Sequence, residues 1–518
     1  MNIAEYRPDG MVNRRRLLTG LGIAAANTRL PGMMTRDVSA QGATPERTLI
    51  PEIVIDLPGG LPSIDPALAY SPREWSVVHS IYDAPIGFAE DGSLQPLAAQ
   101  RFEAIDDVTF EIVLREGLTF HDGSPVTSEA IERSVAYIQG STSFAVDLFR
   151  VIRRVAIVDN VTARIICEAP SPWLPAQIAV WLLLVPDGFS ADLAARAPAG
   201  SGPFRFESYE PGDNITLVRN DAYPREGLKG IAMAERVTYR FVPESGTRVA
   251  DLSTGAAQIV TDLPFDQLNA VEQSGQHVFE LPLVGSAWIR IATDVEPFPD
   301  PRVRKAINHA VDVQAIADAL LSTQSRRLAS LFPDARSIAF DDSLAPYEYN
   351  PDRARDLLAE AGLTDGFDTQ LEITASERVD VAQAIVAQLG EVGIRAGIVA
   401  SEFADFNATW ADTSRPPLRM STWSPLYDPH TLLSLVFQST GYLSRYGNAD
   451  IDRLIEAAAV EPDPAIRTTL YHDLSQVMYD DPPALFLWNL ATAYGVSGEA
   501  AAWKPRGDEY VIATVASQ

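Results

Sequence analysis

The chain has 518 residues, of which 46% are hydrophobic and 21% charged, so it is long enough for two to four domains with ordinary apolar cores. Its formal net charge of −28 excludes a general nucleic-acid binder and disfavours binding to anionic membranes. No apolar run reaches the ~18 residues that a transmembrane helix needs. The composition therefore predicts a soluble globular protein that binds no nucleic acid.

The first 40 residues have the pattern of an export signal. Arg14 and Arg15 are followed, after one residue, by two leucines, which is the twin-arginine pattern, and a short apolar core occupies residues 17–26. Residues 38–40 form a small-x-small cleavage site before Gln41. No cysteine follows that site to carry a lipid anchor. We therefore predict twin-arginine export and a soluble protein in a Gram-negative periplasm.

The next elements predict a strand at residues 48–57, a helix at 75–82 and a clear strand–turn–helix at 108–138. In that last stretch Phe110, Ile112 and Leu114 alternate with other residues, as in a strand with one apolar face. Turn formers are dense in residues 120–125. Thr127 then has the side chain and position of a helix N-cap. The stretch predicts a strand that turns directly into an amphipathic helix.

Further along the chain, strand and helix patterns alternate. A hairpin is predicted at 155–168, and strand–helix–strand units follow at 237–260 and 371–399. Asp300 and Asn350, each followed by proline, indicate two helix starts. Strands are also predicted at 289–293 and 485–488. This alternation predicts an α/β fold.

The sequence carries no recognisable catalytic or metal-binding motif. There is no GxSxG elbow, HExxH pair or P-loop. The six histidines show no ligand spacing, and we expect surface or capping roles for them. Cys167, the only cysteine, lies among apolar residues, so a buried inert thiol and no disulfide are expected. We predict no enzymatic activity, no metal and no cofactor.

Three stretches resemble landmarks of the family 5 extracellular solute-binding proteins, the peptide, opine and nickel receptors of ABC importers. They are VTFEIVLREGLTFHDGSPVTSEAI from Val108, GSGPFRF from Gly200 and PRVRKAINHAVD from Pro301. The resemblance covers roughly residues 50–515. It implies a periplasmic-binding-protein type II-like α/β fold, with two lobes joined by a two-stranded hinge and an extra domain inserted in the first lobe.

The resemblance also implies domain limits. The hinge crossings are expected near residues 284–289 and 488–495. The expected domains are domain I in three parts (41–74, 196–285 and 491–518), domain II (75–195) and domain III, the second lobe (286–490).

The segment from Ser421 to His430 is similar to the stretch that lines the ligand cleft of the family. Its backbone is expected to pair with an extended ligand, and Trp423 to stack on it. Core packing is the alternative role for Trp423 and for Tyr427. The residues expected to bind ligand are Tyr70, Ser71, Phe144, Ser421, Thr422, Trp423, Tyr427 and Asp428.

Two departures from the family pattern leave the ligand open. Peptide receptors have an Asp that pairs with the peptide ammonium, and that position is Leu426 here. Asp428 lies nearby, although an Asp before proline more often caps its own backbone. The histidine of the nickel-type receptors is replaced by Gly441, and matching arginines are missing.

The leading interpretation is a monomeric receptor for a peptide-like solute that delivers it to an ABC permease/ATPase complex in the inner membrane. A receptor for a metal chelate, an opine or an oligosaccharide is the alternative, and a secreted hydrolase is less favoured.

Export is testable in the native bacterium. Replacing Arg14 and Arg15 by lysine should prevent the mature protein from reaching the periplasm, because the translocation machinery reads the arginine pair. Cell fractionation and immunoblotting measure this, and N-terminal sequencing of the wild-type protein should begin at Gln41. Normal periplasmic levels of the double variant would exclude the twin-arginine route.

Overall fold

The computed structural model describes residues 49–143, 145–224, 229–374 and 378–515, which belong to one unit that begins at Leu49. The predicted signal at residues 1–40 and the predicted site residue Phe144 lie outside the described residues. Within the described part of the chain, no helix is both long and apolar enough to cross a membrane.

The strands of the described residues are Ile50–Leu57 (β1), Ile86–Phe88 (β2), Leu94–Pro96 (β3), Ala99–Asp106 (β4), Thr109–Leu114 (β5), Ile152–Ile157 (β6), Thr162–Cys167 (β7), Phe204–Glu210 (β8), Asn214–Arg219 (β9), Ile231–Ala232 (β10), Ala234–Phe241 (β11), Ile259–Val260 (β12), His277–Ile291 (β13), Phe367–Thr374 (β14), Ile394–Ser401 (β15), Leu418–Trp423 (β16), Ala484–Val496 (β17) and Thr514–Val515 (β18).

The α-helices of the same residues are Pro72–Ile81 (α1), Ser128–Gln139 (α2), Ala145–Phe149 (α3), Leu174–Trp181 (α4), Ala191–Arg196 (α5), Ser245–Thr254 (α6), Leu268–Gln273 (α7), Pro301–Ala310 (α8), Val313–Leu320 (α9), Pro351–Glu360 (α10), Val379–Glu391 (α11), Phe403–Ala408 (α12), His430–Leu432 (α13), Ala449–Val460 (α14) and Pro464–Asp480 (α15).

Several local predictions are confirmed. The 108–138 stretch is β5 followed by a turn and α2, with Phe110, Ile112 and Leu114 buried and Thr127 at the N-cap. The side chains of Asp300 and Asn350 accept hydrogen bonds from backbone amides in the first turns of α8 and α10, as their sequence positions predict. The helix predicted at 75–82 begins three residues earlier, at Pro72.

One mixed sheet runs through the molecule in the order β15-β14-β16-β13-β17-β12-β1-β11-β9-β8. A separate antiparallel sheet, in the order β4-β5-β7-β6, is formed by chain that lies between β1 and β8, and α2 packs on it. The predicted hairpin is β6 and β7 of this second sheet. The arrangement is the α/β fold that the sequence predicts.

The centre of the large sheet is the antiparallel pair β13 and β17. Residues 277–282 of β13 pair with 491–496 of β17, and residues 286–290 pair with 484–489. The register shifts between Pro282 and Ser286 and again before Trp288. Such irregularities bend a strand and increase its twist. β13 and β17 are both much longer than the strands predicted at 289–293 and 485–488. Each continues from the part of the sheet next to β12 to the part next to β16.

The buried apolar side chains of the described residues form three clusters. One contains residues from 287 to 420 together with Leu485, Leu487 and Trp488. The most extensive begins at Ile53 in β1, passes through the four-stranded sheet and continues into the segment after β16, so it spans both ends of the large sheet. The third is small and includes Leu252 and Leu263. Burial of these apolar side chains is the main stabilising contribution to the fold.

A buried ion pair lies at the edge of the first of these clusters. Glu372 in β14 and Arg419 in β16 have fully buried side chains, with 2.9 Å between the carboxylate Oε2 and the guanidinium Nε. Arg419 also donates to the backbone carbonyls of Phe406 and Thr409, each at 2.7 Å. The pair therefore holds the segment before β16 against the sheet.

We expect Glu372→Gln to lower the free energy of unfolding by about 3–5 kcal/mol, because the buried Arg419 charge loses its counter-charge. Asp368→Asn in the same strand is the matched control. Its partner is Arg395 at 2.7 Å, and both side chains are more than half exposed, so the loss should be under about 1 kcal/mol. Urea unfolding followed by circular dichroism measures both, and equal losses would contradict the assignment.

Candidate ligand-binding cavity

A cavity of about 570 Å³ lies beside the crossing strands, within the range of roughly 300–1,000 Å³ that is usual for small-molecule sites. Its wall is largely aromatic and aliphatic. Residues from several parts of the chain line it, chiefly the start of α1, α4, the segments around α12 and β16, and the loop before the C-terminal strand.

The first wall contains the predicted residues Tyr70 and Ser71. Ser71 caps α1. The Glu74 carboxylate accepts hydrogen bonds from the backbone amides of Tyr70 and Ser71, at 2.8 and 3.1 Å. The indole N–H groups of Trp75 and Trp181 both donate to the carbonyl of Ala69, at 3.3 and 3.1 Å. These hydrogen bonds fix the backbone before α1, the corner at Tyr70. Tyr70 therefore lines the cavity on a rigid backbone.

The facing wall is β16 and the loop after it. Thr422 and Trp423 line the cavity, as the sequence predicts, with Trp423 half-buried. Ser421 does not line it, and its side chain is buried. β14 pairs only with Leu418 and Arg419 of β16. Among the described residues, no strand lies beside the rest of that edge.

Tyr427 lines the cavity but is itself fixed by packing. Its ring stacks on Phe88, with 4.1 Å between the ring centres, and its hydroxyl donates to the carbonyl of Gly507. Burial raises the pKa of the Tyr427 hydroxyl. The loop therefore contacts residues from elsewhere in the chain, and the ring of His430 adds a similar contact by stacking on Trp173 at 4.3 Å.

Asp428 also lines the cavity, yet its charge is already paired. The Arg467 guanidinium donates two hydrogen bonds to its carboxylate, at 2.6 and 3.0 Å. The same carboxylate accepts the backbone N–H of His430 at 3.0 Å, which is the local cap that an Asp before proline favours. Leu426, at the position of the peptide-receptor Asp, is fully buried in the core.

Several lining residues have no signal in the sequence. Phe403, Trp410 and Tyr442 are isolated aromatics outside recognisable motifs. The Arg290 guanidinium supports two of these segments by donating to the carbonyls of Trp410, at 2.5 Å, and Leu443, at 3.4 Å. Burial, with other arginines nearby, lowers the pKa of Arg290 to about 9.

Glu509 is the other missed lining residue. Both of its carboxylate oxygens accept from the Ser424 hydroxyl, at 2.9 and 3.1 Å. Burial raises the pKa of Glu509 to about 7. Its backbone φ of 66° lies in the left-handed region, which non-glycine residues seldom occupy.

The described residues contain no group of three or more histidine, cysteine or carboxylate side chains placed to hold a metal ion. The expectation of surface or capping histidines is wrong for His79, which is buried with a ring nitrogen 3.1 Å from the carbonyl of Val180. Cys167 is buried, as predicted, and burial raises the pKa of its thiol to about 11.

The model of the bacterial extracellular solute-binding proteins, family 5, matches residues 93–444. The chain belongs to this family. The predicted resemblance and the predicted fold class are thereby confirmed, and the function is to bind a solute.

The chain is 25% identical to the glutathione-binding protein GsiB of Salmonella paratyphi A over 490 residues, covering 90% of this chain and 91% of that protein. Among solved structures it is similar to the periplasmic binding protein DppA from Helicobacter pylori in complex with the peptide STSA. That match has a TM-score of 0.76 and 21% identity, and covers 90% of this chain and 96% of DppA. NikA from Staphylococcus aureus, in complex with Ni(L-His)2, gives a TM-score of 0.75 at 19% identity over 89% and 98% of the two chains.

Proposed function

We propose that the chain is the periplasmic receptor of an ABC importer, and that it captures a peptide-like solute in this cavity and delivers it to a permease/ATPase complex in the inner membrane. In this proposal the protein is exported by the twin-arginine signal, acts as a monomer and catalyses no reaction. Tyr70, Ser71, Thr422, Trp423, Tyr427 and Asp428 form the ligand cavity or support its wall.

The observation that carries the proposal is the unpaired edge of β16 at the cavity. From Met420 to Trp423 the strand has β13 on one side and, in the described part of the chain, no strand on the other. An extended peptide can hydrogen-bond to such an edge as an added strand, and this backbone recognition tolerates different side chains. Trp423, at the end of the edge, offers a ring for apolar contact with the ligand.

The similar proteins support the same ligand class. GsiB is named for binding glutathione, a tripeptide, and the DppA structure contains the peptide STSA. The NikA complex makes a metal chelate the main competitor. This cavity, however, is lined by no histidine, arginine or lysine among the described residues, so it offers no imidazole to coordinate the nickel and no cation to pair with the carboxylates of the chelate.

Ligand binding would draw the two walls together. The first wall is attached to α1 and α4, and the second to β16, so a ligand that touches both stabilises the closed arrangement. A ligand shifts such an equilibrium only through contacts that differ between the two states.

The ligand class is tested by native mass spectrometry of protein purified from its own periplasm, followed by a thermal-shift screen. The panel contains glutathione, the peptide STSA, Ni(L-His)2, an opine and an oligosaccharide. At 100 times Kd a ligand stabilises by about 2.7 kcal/mol, which raises the melting temperature by several degrees. We expect the peptides to do so. A shift only with the chelate, the opine or the oligosaccharide would replace the peptide assignment.

The cavity itself is tested with Trp423→Ala. Loss of the ring should weaken the binding of the best peptide about tenfold or more, because an aromatic anchor contributes to both apolar burial and stacking. Tyr349→Ala, which removes an exposed aromatic that does not line the cavity, should leave the affinity unchanged in isothermal titration calorimetry. Equal affinities for all three proteins would place the site elsewhere.

A further inference from the structure

The charges that line the cavity are of one sign. Among its described lining residues, Asp428 and Glu509 are the two carboxylates, and no lysine, arginine or histidine accompanies them. A cavity that excludes bulk water and presents only negative side chains favours a ligand group of positive charge. Of the two carboxylates, only one is available to a positively charged ligand group.

Asp428 is not available. Arg467 occupies both of its carboxylate oxygens, and the His430 backbone amide adds a third hydrogen bond. A ligand cation that contacted Asp428 would also come close to the positive charge of Arg467, and the two like charges would repel each other.

Glu509 has no paired cation among the residues that the structure describes. Its direct side-chain donor is the hydroxyl of Ser424, and the backbone amide of Val284 also favours the charged form. Arg336, whose charge lowers the pKa of Glu509, is itself held by the Asp334 carboxylate at 2.7–2.9 Å. Asp508 is likewise paired with Arg506 at 2.6 Å. An ionised carboxylate accepts about four hydrogen bonds, so Glu509 keeps acceptor capacity toward the cavity.

The backbone holds Glu509 in this position at a cost. Its amide donates to the Arg506 carbonyl at 3.2 Å, which closes a turn, and the residue adopts φ of 66°. A left-handed conformation at a residue with a long side chain is unfavourable and tends to persist where function uses it. The turn directs the carboxylate to Ser424, the residue that follows Trp423 at the end of β16.

We propose that Glu509 is the specificity-determining residue of the cavity and receives the ammonium group of a peptide-like ligand. The inference rests on the proposed function and narrows it to solutes with a free amino group. Their amino terminus would lie beside Ser424 and Glu509 while the backbone follows the edge of β16. The carboxylate missing at Leu426 is thus supplied from the C-terminal part of the chain.

The proposal has a pH signature. Glu509 is buried, so about half of the carboxyl groups are neutral near pH 7 in the free protein. The charged and titratable groups that act on it are Arg336 and Asp508, with Tyr427, Tyr494 and Tyr510 facing it. An ammonium ion favours the ionised carboxylate and lowers its pKa. Affinity for ligands with a free amino terminus should therefore rise from pH 6 to about pH 7.5, and stop rising above that pH because the α-amino group, with a pKa of about 7.7–8.0, loses its own proton.

The test uses isothermal titration calorimetry with glutathione and the peptide STSA, each with a free and with an acetylated amino terminus. The proteins are wild type, Glu509→Gln and the control Glu499→Gln, which removes an exposed carboxylate in the same part of the chain. Wild type and the control should bind the free forms about ten- to hundredfold more tightly than the acetylated forms. Glu509→Gln should bind both forms equally weakly and lose the rise in affinity with pH.

Folding of Glu509→Gln is checked by its melting temperature. A carboxyl whose folded pKa is raised from 4.5 to about 7 makes the folded state less stable as pH increases through that interval. The variant should lack this decrease and should be at least as stable as wild type at pH 8.

The outcomes separate the two proposals. If wild type binds free and acetylated peptides equally, or Glu509→Gln binds the free forms as wild type does, Glu509 is not the anchor while the peptide receptor stands. If no peptide binds and another class in the panel does, the proposed function and this inference both fail. The inference can still be overturned if Glu509→Gln is unstable. Either of two results with wild type is then sufficient: equal binding of the free and acetylated peptides, or an affinity for the free peptides that does not rise with pH.

Discussion

The pairing of β13 with β17 is the constraint on which the rest of the structure depends. Each strand passes from one side of the large sheet to the other, so the two sides share a single hydrogen-bonded ladder. The register shifts between Pro282 and Trp288 occur where the pairing changes from one side to the other. A ladder that is irregular at one point can bend there more easily than a regular ladder. The cavity lies beside this point, next to Leu283 and Leu490.

The walls of the cavity differ in how they are fixed. The corner at Tyr70 is held by the Glu74 carboxylate and by two indole donors, all local to α1 and α4. The loop after β16 is held by long-range contacts, such as the stacking of Tyr427 on Phe88. Polar groups that already have hydrogen-bond partners within the wall are not available to bind the ligand. Under the proposed function, recognition is then left to the strand edge, the exposed ring faces and Glu509.

Motifs with local causes could be predicted from the sequence. The alternation in β5, the turn formers after it and the caps at Asp300 and Asn350 depend on neighbours within a few residues. The α/β class followed from the alternation of strand and helix patterns, and the two-lobed fold from the family resemblance. The cavity could be predicted only where family landmarks reached it, as at Trp423. Trp410 and Glu509 lie in irregular segments, and only the tertiary fold brings them to the wall. Ser421 was assigned from its position in the segment, but its side chain is buried in the fold and does not line the cavity.

The burial of Cys167 makes this protein convenient to label. Its thiol is enclosed and its pKa is about 11, so very little thiolate exists at neutral pH. A cysteine introduced by Tyr442→Cys, at a cavity residue whose side chain is 54% exposed, would be the reactive thiol of the described chain. An environment-sensitive dye attached there would report the arrival of solute as a change in fluorescence. A single substitution, Tyr442→Cys, would therefore be enough to make an optical sensor from the native sequence.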